Sequence, residues 1–192
     1  MEQKFGNNSI DVQMLHDFCE REGEAVDYRK GEQLESEGEP ARWLAVVTEG
    51  CFKYTVKGIS DGKEHITWFS FEGEFAVDYP TFLYGRPSQA TIEAMMPSRV
   101  LRVSGERLRQ FYGQDIKTME LRAAIGEHIL SQFRSRYLDL HCASPRERYG
   151  LLLHRCPGIV EHLPLNAIAS FLNITPQMLS KIRKDITFDA HK

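Results

Sequence analysis

Hydrophobic and polar positions follow three different periods along the chain. From Ala25 the period is two: Val26 and Tyr28, Leu34, Trp43 to Val47, Phe52 to Val56 and His65 to Phe69 form short apolar runs. Lys30-Gly31, Glu49-Gly50 and Asp61-Gly62 separate them. Runs of this length between glycine turns predict strands of a small antiparallel barrel or roll. Asp61-Gly62 predicts a two-residue hairpin loop, and Gln89 to Ala94 with Arg99 to Val103 forms a last strand pair. Ahead of the strands, Ile10, Met14, Leu15 and Phe18 fall at helical spacing, with Ser9 or Asp11 placed as cap. Behind them, Ser104 caps a short helix through Phe111 and Tyr112.

The second period runs unbroken from Ile116 to Leu140. Ile116, Met119, Ala123, Gly126, Leu130, Phe133, Tyr137 and Leu140 alternate spacings of three and four, the seam of a helix that pairs with another helix. At 1.5 Å per residue this helix is roughly 37 Å long. Small residues at 123 and 126 would let two backbones approach. A second stripe, Leu121, Ile125, Ile129, Gln132 and Arg136, begins apolar and turns polar, so the first half also leans on its own upstream domain.

The third pattern is a set of short capped helices. Ser144-Pro145-Arg146-Glu147 is a capping-box start, and Tyr149, Leu152 and Leu153 give that helix an inner face before Pro157-Gly158 ends it. Leu163-Pro164 opens a helix with Ile168, Ala169, Phe171 and Leu172 apolar. Asn173 suits a left-handed turn, and Thr175-Pro176 starts a further helix whose Leu179, Ile182 and Ile186 face inward. Two short helices across so tight a turn form a helix-turn-helix. The outward face of the last helix carries Gln177, Ser180, Lys181, Arg183 and Lys184. Gln pairs with adenine, Lys donates to guanine, and the remaining donors reach phosphates.

Charge supports that division. Residues 1–143 hold 17 Lys and Arg against 23 Asp and Glu (net −6), whereas 144–192 hold 7 against 4 (net +3). Only the C-terminal piece favours a polyanion. No apolar run approaches a membrane span and residues 1–10 are polar, which makes a cytoplasmic protein the expectation. Cys19, Cys51, Cys142 and Cys156 stand far apart, as free thiols of a reducing compartment do. His65 is the one histidine among the strands, too few for the metal site of a cupin-type barrel enzyme. No enzyme activity, metal or cofactor is expected.

One stretch fits no regular pattern: 71–88, FEGEFAVDYPTFLYGRPS. A connection of this length in a compact barrel is either a lid over a pocket or a folded plug at one end.

Roll, long helix and helix-turn-helix, in that order, resemble the cyclic-AMP receptor and fumarate/nitrate regulator (Crp/Fnr) family of bacterial transcription factors. The likeness is carried by Val46-Val47-Thr48-Glu49-Gly50, Asp61-Gly62-Lys63-Glu64, and Ile168 to Ile182, IASFLNITPQMLSKI. It implies an α+β chain: a double-stranded β-helix roll of the cyclic-nucleotide-binding type over 1–113, a dimerisation helix over 114–142, and a DNA-binding helix-turn-helix over 143–192. Pro176, Gln177 and Lys181 fall where family members contact bases, and Thr175 where a phosphate contact is common. Met119, Ala123, Gly126, Leu130, Phe133 and Tyr137 would then pair two copies. The implied partners are double-stranded DNA, a second copy of the chain, RNA polymerase for an activator, and a small-molecule effector; a membrane is not among them.

Three departures qualify the resemblance. Cyclic-nucleotide binders hold ribose with a Gly-Glu and the cyclic phosphate with an Arg-Ser or Arg-Thr about ten residues on. The nearest matches here are Asp78 and Pro87-Ser88, with Arg86 one position early and Gly73-Glu74 too far upstream. A buried phosphate without a cationic partner is costly, so poor binding of cyclic AMP or cyclic GMP is expected. An effector of another kind would use Trp68, Phe69, Phe71, Phe75, Asp78, Tyr79, Arg86 and Ser88, and would act by biasing the long helices between two arrangements. The N-terminal cysteine cluster of the iron–sulphur branch is missing, since Cys19 stands alone there. Finally, only Thr187 to Lys192 follow the expected recognition helix, too little for the hairpin wing of many relatives. Fewer phosphate contacts and a shallower salt dependence follow. The competing reading, a ligand-binding module without DNA contact, would tolerate alanine at Gln177 and Lys181.

Overall fold

The computed structural model describes residues 12–156 and 159–189, the side chains of His162 and 187–189 excepted. Ser9, Ile10, Asp11, Pro157 and Gly158, to which the sequence assigns a cap, an apolar position and a helix stop, lie outside the described residues. The described residues fall into two compact units, 12–129 and 130–189, with one helix contributing to both.

The first unit begins with α1 (Gln13–Glu22), which buries Leu15, Phe18 and Cys19 while Met14 stays exposed, contrary to its expected inward place. Eight strands follow: β1 (Glu24–Tyr28), β2 (Gln33–Glu35), β3 (Trp43–Glu49), β4 (Cys51–Lys57), β5 (Glu64–Phe71), β6 (Phe75–Ala76), β7 (Thr91–Ala94) and β8 (Ser98–Ser104). They form two antiparallel four-stranded sheets, ordered β1-β8-β3-β6 and β2-β7-β4-β5. The last two strands are therefore not a pair, as the sequence suggested: β7 joins β4 and β8 joins β3. The β4–β5 hairpin is real, but its connection is six residues, 58–63, rather than two. Gly62 takes φ 64°, and Gly58 donates to the Lys63 carbonyl, so Asp61-Gly62 turns the chain inside a wider loop.

Two cores flank β3. Ala45 and Val47 point into the space between the sheets with Tyr28, Phe52, Ile92 and Val100. Leu44 and Val46 point the other way, against Leu15, Phe82, Leu108 and Phe111. Burial on both faces explains why Leu44 to Val47 is an unbroken apolar run. The second core is roofed by α2 (Gly105–Tyr112), whose cap is Ser104 accepting from the Arg107 amide at 3.3 Å, and by the first turns of α3 (Ile116–Cys142) through Leu121 and Ile125.

The second unit holds the rest of α3, then α4 (Pro145–Arg155), α5 (Ile159–His162), α6 (Leu165–Phe171) and α7 (Pro176–Asp189). The capping box at Ser144 and Glu147 forms in both directions. The one-turn α5 was not legible in the sequence. Tyr149, Leu152, Ile159, Leu163, Ala167 to Ala169, Leu172, Leu179 and Ile182 are buried here. The two units together carry antiparallel sheets, a long helix and a helical C-terminal region, an α+β chain.

Candidate nucleic-acid interface and sensor site

α6 ends because Leu172 and Asn173 turn back: Leu172 N donates to Ile168 O, Asn173 N to Ser170 O, and Ile174 N to Ala169 O. Asn173 sits at φ 53°, the left-handed conformation that its short polar side chain tolerates. α7 then starts on Thr175, whose hydroxyl accepts from the Met178 amide at 3.2 Å. Leu179 and Ile182 go inward, which turns Thr175, Pro176, Gln177, Lys181, Arg183 and Lys184 to the surface; Ser180 is half-buried at the margin. Gln177, Lys181 and Lys184 follow a spacing of four and three, hence one helix face. Met178, 47% exposed, lies beside them and carries no signal in the sequence that would have marked it. No acidic residue occupies the first turn of α7, leaving its amide end open to an anion.

Along α3 the seam residues are on the surface. Ile116 is 66%, Met119 57%, Leu130 69%, Phe133 55% and Tyr137 61% exposed, Ala123 is exposed and Gly126 half-exposed. Gly126 has open space where a Cβ would stand. The apolar part of the second stripe is buried at Leu121 and Ile125, as the changing polarity of that stripe suggested.

Within the roll, the 71–88 stretch is a folded plug. It contains β6, a cis Tyr79-Pro80 bond and a short 3-10 helix, Thr81–Tyr84, with Thr81, Phe82 and Leu83 buried. The eight residues proposed for an effector do not converge. Trp68 packs on the core between the sheets, and Phe69 lies 6.1 Å from Phe71 on β5. Phe75 and Tyr79 belong to the other core, Phe75 against His16 at 4.5 Å and Tyr79 against Phe82 at 6.0 Å. Arg86 is exposed, its guanidinium 5.5 Å from the Tyr84 ring centroid. Asp78 and Ser88 do meet: the Asp78 carboxylate accepts from the Ser88 hydroxyl at 3.0 Å and from the Gln89 amide at 2.6 Å. Pro87 bridges to Pro40, and the Ser88 amide donates to Glu39 O.

Three further polar groups of this region are buried or half-buried, of which the sequence reading leaves Glu35 unnamed and weighs Glu74 only as a distant match to the cyclic-nucleotide motif. Glu35, 5% exposed, accepts from the amides of Arg42 and Trp43 at 2.7 Å, and burial raises its pKa. The fully enclosed Tyr54 hydroxyl bonds Ser70 and the Val77 amide, its pKa pushed up to about 12 by burial. Glu74 accepts from the Phe71 amide at 3.0 Å, and burial lifts its carboxyl from 4.5 to about 7.

Glu74 makes stability depend on pH. Well below pH 4.5 it is protonated folded and unfolded alike and costs nothing. As pH rises from 4.5 to 7 the unfolded chain gives up the proton first, so stability falls; above 7 the loss is constant. Glu74→Gln is therefore expected to match the parent well below pH 4.5 and to exceed it by on the order of 3 kcal/mol at pH 8. Urea midpoints at the two pH values measure it; an equal gain at both would refute titration as the cause.

Among the described residues no group of three His, Cys, Asp or Glu could hold a metal ion, and no helix is long and apolar enough to cross a membrane. None of the four cysteines forms a disulfide. Burial raises Cys19 and Cys51 to about 12, which leaves both thiols protonated and inert.

The fold and these two faces define a class: a cyclic-nucleotide-binding-type roll followed by a long helix and a small helical domain. Residues 25–115 match the family of the cyclic nucleotide-binding domain. The chain has the Crp/Fnr fold. It is similar to FixK2 from Bradyrhizobium japonicum at 22% identity and TM-score 0.76, over 88% of this chain and 86% of that one. It is similar also to a CooA mutant from Carboxydothermus hydrogenoformans (14%, 0.70, 96% and 87%). The c-di-GMP responsive global regulator CLP of Xanthomonas campestris is a third such structure (16%, 0.67, 94% and 93%). No curated protein matches the sequence.

Proposed function

We propose that the protein is a sequence-specific DNA-binding transcriptional regulator of the cytoplasm, not an enzyme. It acts as a homodimer through α3 and reads DNA through a helix-turn-helix made of α6, the turn at Asn173, and α7. In this reading 1–113 is the sensor region, 114–142 the dimerisation helix and 143–192 the reading domain. The observation that carries it is the α7 face: a threonine-capped, acid-free helix start with Gln177, Lys181 and Lys184 displayed together beyond a left-handed turn. The exposed α3 seam supports the dimer, because a contiguous apolar stripe of about 32 Å is costly to leave in water.

The roll does not take a cyclic nucleotide. Where a cyclic phosphate needs a cation and free amides, Asp78 supplies a negative charge and already engages the Ser88 hydroxyl and the Gln89 amide. Arg86 is turned to the surface over Tyr84. Calorimetric titration with cyclic AMP and cyclic GMP up to about 1 mM is expected to give no heat, millimolar Kd marking weak binding. Saturation in the micromolar range would overturn this part.

Selection from random duplex DNA, without added ligand and at two salt concentrations, tests the central reading. Enrichment of a palindrome with half-sites about one helical turn apart is the expected result. Absence of any DNA retention at low salt would refute it in favour of a ligand-binding module without DNA contact.

A further inference from the structure

Arg136 belongs to the polar end of the second α3 stripe, yet it is not a solvated arginine. Its guanidinium lies 3.5 Å from the centroid of the Phe171 ring and donates through Nη2 to the Phe171 carbonyl. Phe171 is the last residue of α6, directly before the turn at 172–175. The amides of Leu172, Asn173 and Ile174 all turn back to earlier carbonyls, so a side-chain donor at Phe171 meets a helix end where carbonyls outnumber amides. A guanidinium makes both contacts at once, because its plane covers an aromatic face while its edge donates. Lysine, a point charge on a flexible stem, has no plane to stack.

The same stretch of α3 is fastened to α4. Arg155 binds Asp139 and donates to the Ser135 hydroxyl at 3.0 Å, and Arg148 donates to the carbonyls of Leu140 and Ala143, 3.2 Å each. Asp139 attracts Arg136 electrostatically but is hydrogen-bonded to Arg155. Burial depresses the Arg136 pKa to about 10, so the guanidinium remains charged at neutral pH. Three arginines thus lock the last turns of α3 onto the helical domain, and of the three it is Arg136 that reaches Phe171, the residue directly before the turn.

We propose that Arg136 is a positioning residue for DNA reading: by stacking on Phe171 and bonding its carbonyl, it fixes the turn between α6 and α7, and hence α7, on the pairing helix. This rests on the proposed function and deepens it. It names the joint through which the dimer helix sets the separation of the two reading helices.

The test uses the full-length protein and two readouts, one free of DNA. In Arg136→Met, amide exchange at Asn173 and Ile174 is expected to quicken about tenfold or more, the loss of a charged hydrogen bond and a cation–π contact. Exchange of α4 amides such as Leu152 should stay within about twofold, as expected of a local opening. In random-DNA selection the variant should accept half-site spacings that the parent rejects, with little change in base preference within each half-site. Arg136→Lys should behave like the methionine variant, and Phe171→Leu, which keeps the carbonyl, should give a smaller increase in exchange. Full rescue by lysine, unchanged exchange in Arg136→Met, or α4 amides quickening in parallel with the turn would each overturn the proposal. If the parent itself enriches no palindrome while the exchange results hold, the DNA reading fails and the fixing of the turn stands.

Discussion

Met119→Glu combined with Leu130→Glu is expected to convert the protein to a monomer at micromolar concentration. Both side chains are more than half exposed in the single chain, and neither belongs to either core of the first unit, so the fold should survive with unchanged far-ultraviolet dichroism and melting. In a twofold-symmetric pair each substitution counts twice. Four apolar side chains then leave the interface, at roughly 1.5–3 kcal/mol each when fully buried. The sum is at least about 6 kcal/mol, or some ten-thousandfold in Kd, before the cost of facing carboxylates across the seam. Sedimentation velocity measures it. A dimer that persists in the double variant would refute α3 as the pairing element.

Gln177→Ala with Lys181→Ala carries the second large effect. Each base-reading side chain is worth about 1–3 kcal/mol of discrimination, and a dimer presents both at two half-sites. Specific binding to the selected palindrome should fall a thousandfold or more, while binding to unrelated duplex at low salt should fall less than tenfold. Both residues are exposed, so thermal stability should not move. Fluorescence anisotropy on matched and scrambled duplexes reads the difference. Equal losses on both would reduce α7 to a non-specific phosphate-binding face.

Much of this architecture was written in local chemistry. Ser104, Ser144 with Glu147, and Thr175 all cap the helices that their side chains announce, and Asn173 takes its left-handed turn. These features depend on neighbours within a few residues, and so does the uninterrupted seam of α3. Strand pairing does not: β7 and β8 adjoin in sequence yet enter different sheets, because both faces of β3 are buried and β8 is needed beside it. The last helix is longer than its sequence pattern implies; α7 continues to Asp189, past the Thr187 at which a tail was expected to begin. For the proposed effector residues, aromatic character alone could not separate the two cores that Trp68 and Tyr79 join. Arg136 was visible only as the polar end of a stripe, since its meaning depends on Phe171, 35 positions away.

Phe82 and Leu83, on the 3-10 segment of the roll, are 1% and 2% exposed. A molecule arriving there must lift them from the core, at about 1.5–3 kcal/mol for each side chain. Under the proposed function, a roll closed in this way leaves the pairing of two chains as the step that abundance controls. If two chains must meet before DNA is read, as proposed, promoter occupancy in the dilute regime would rise with the square of copy number. Expression level would then be the signal, and a twofold change in synthesis would reach the promoter as a fourfold one.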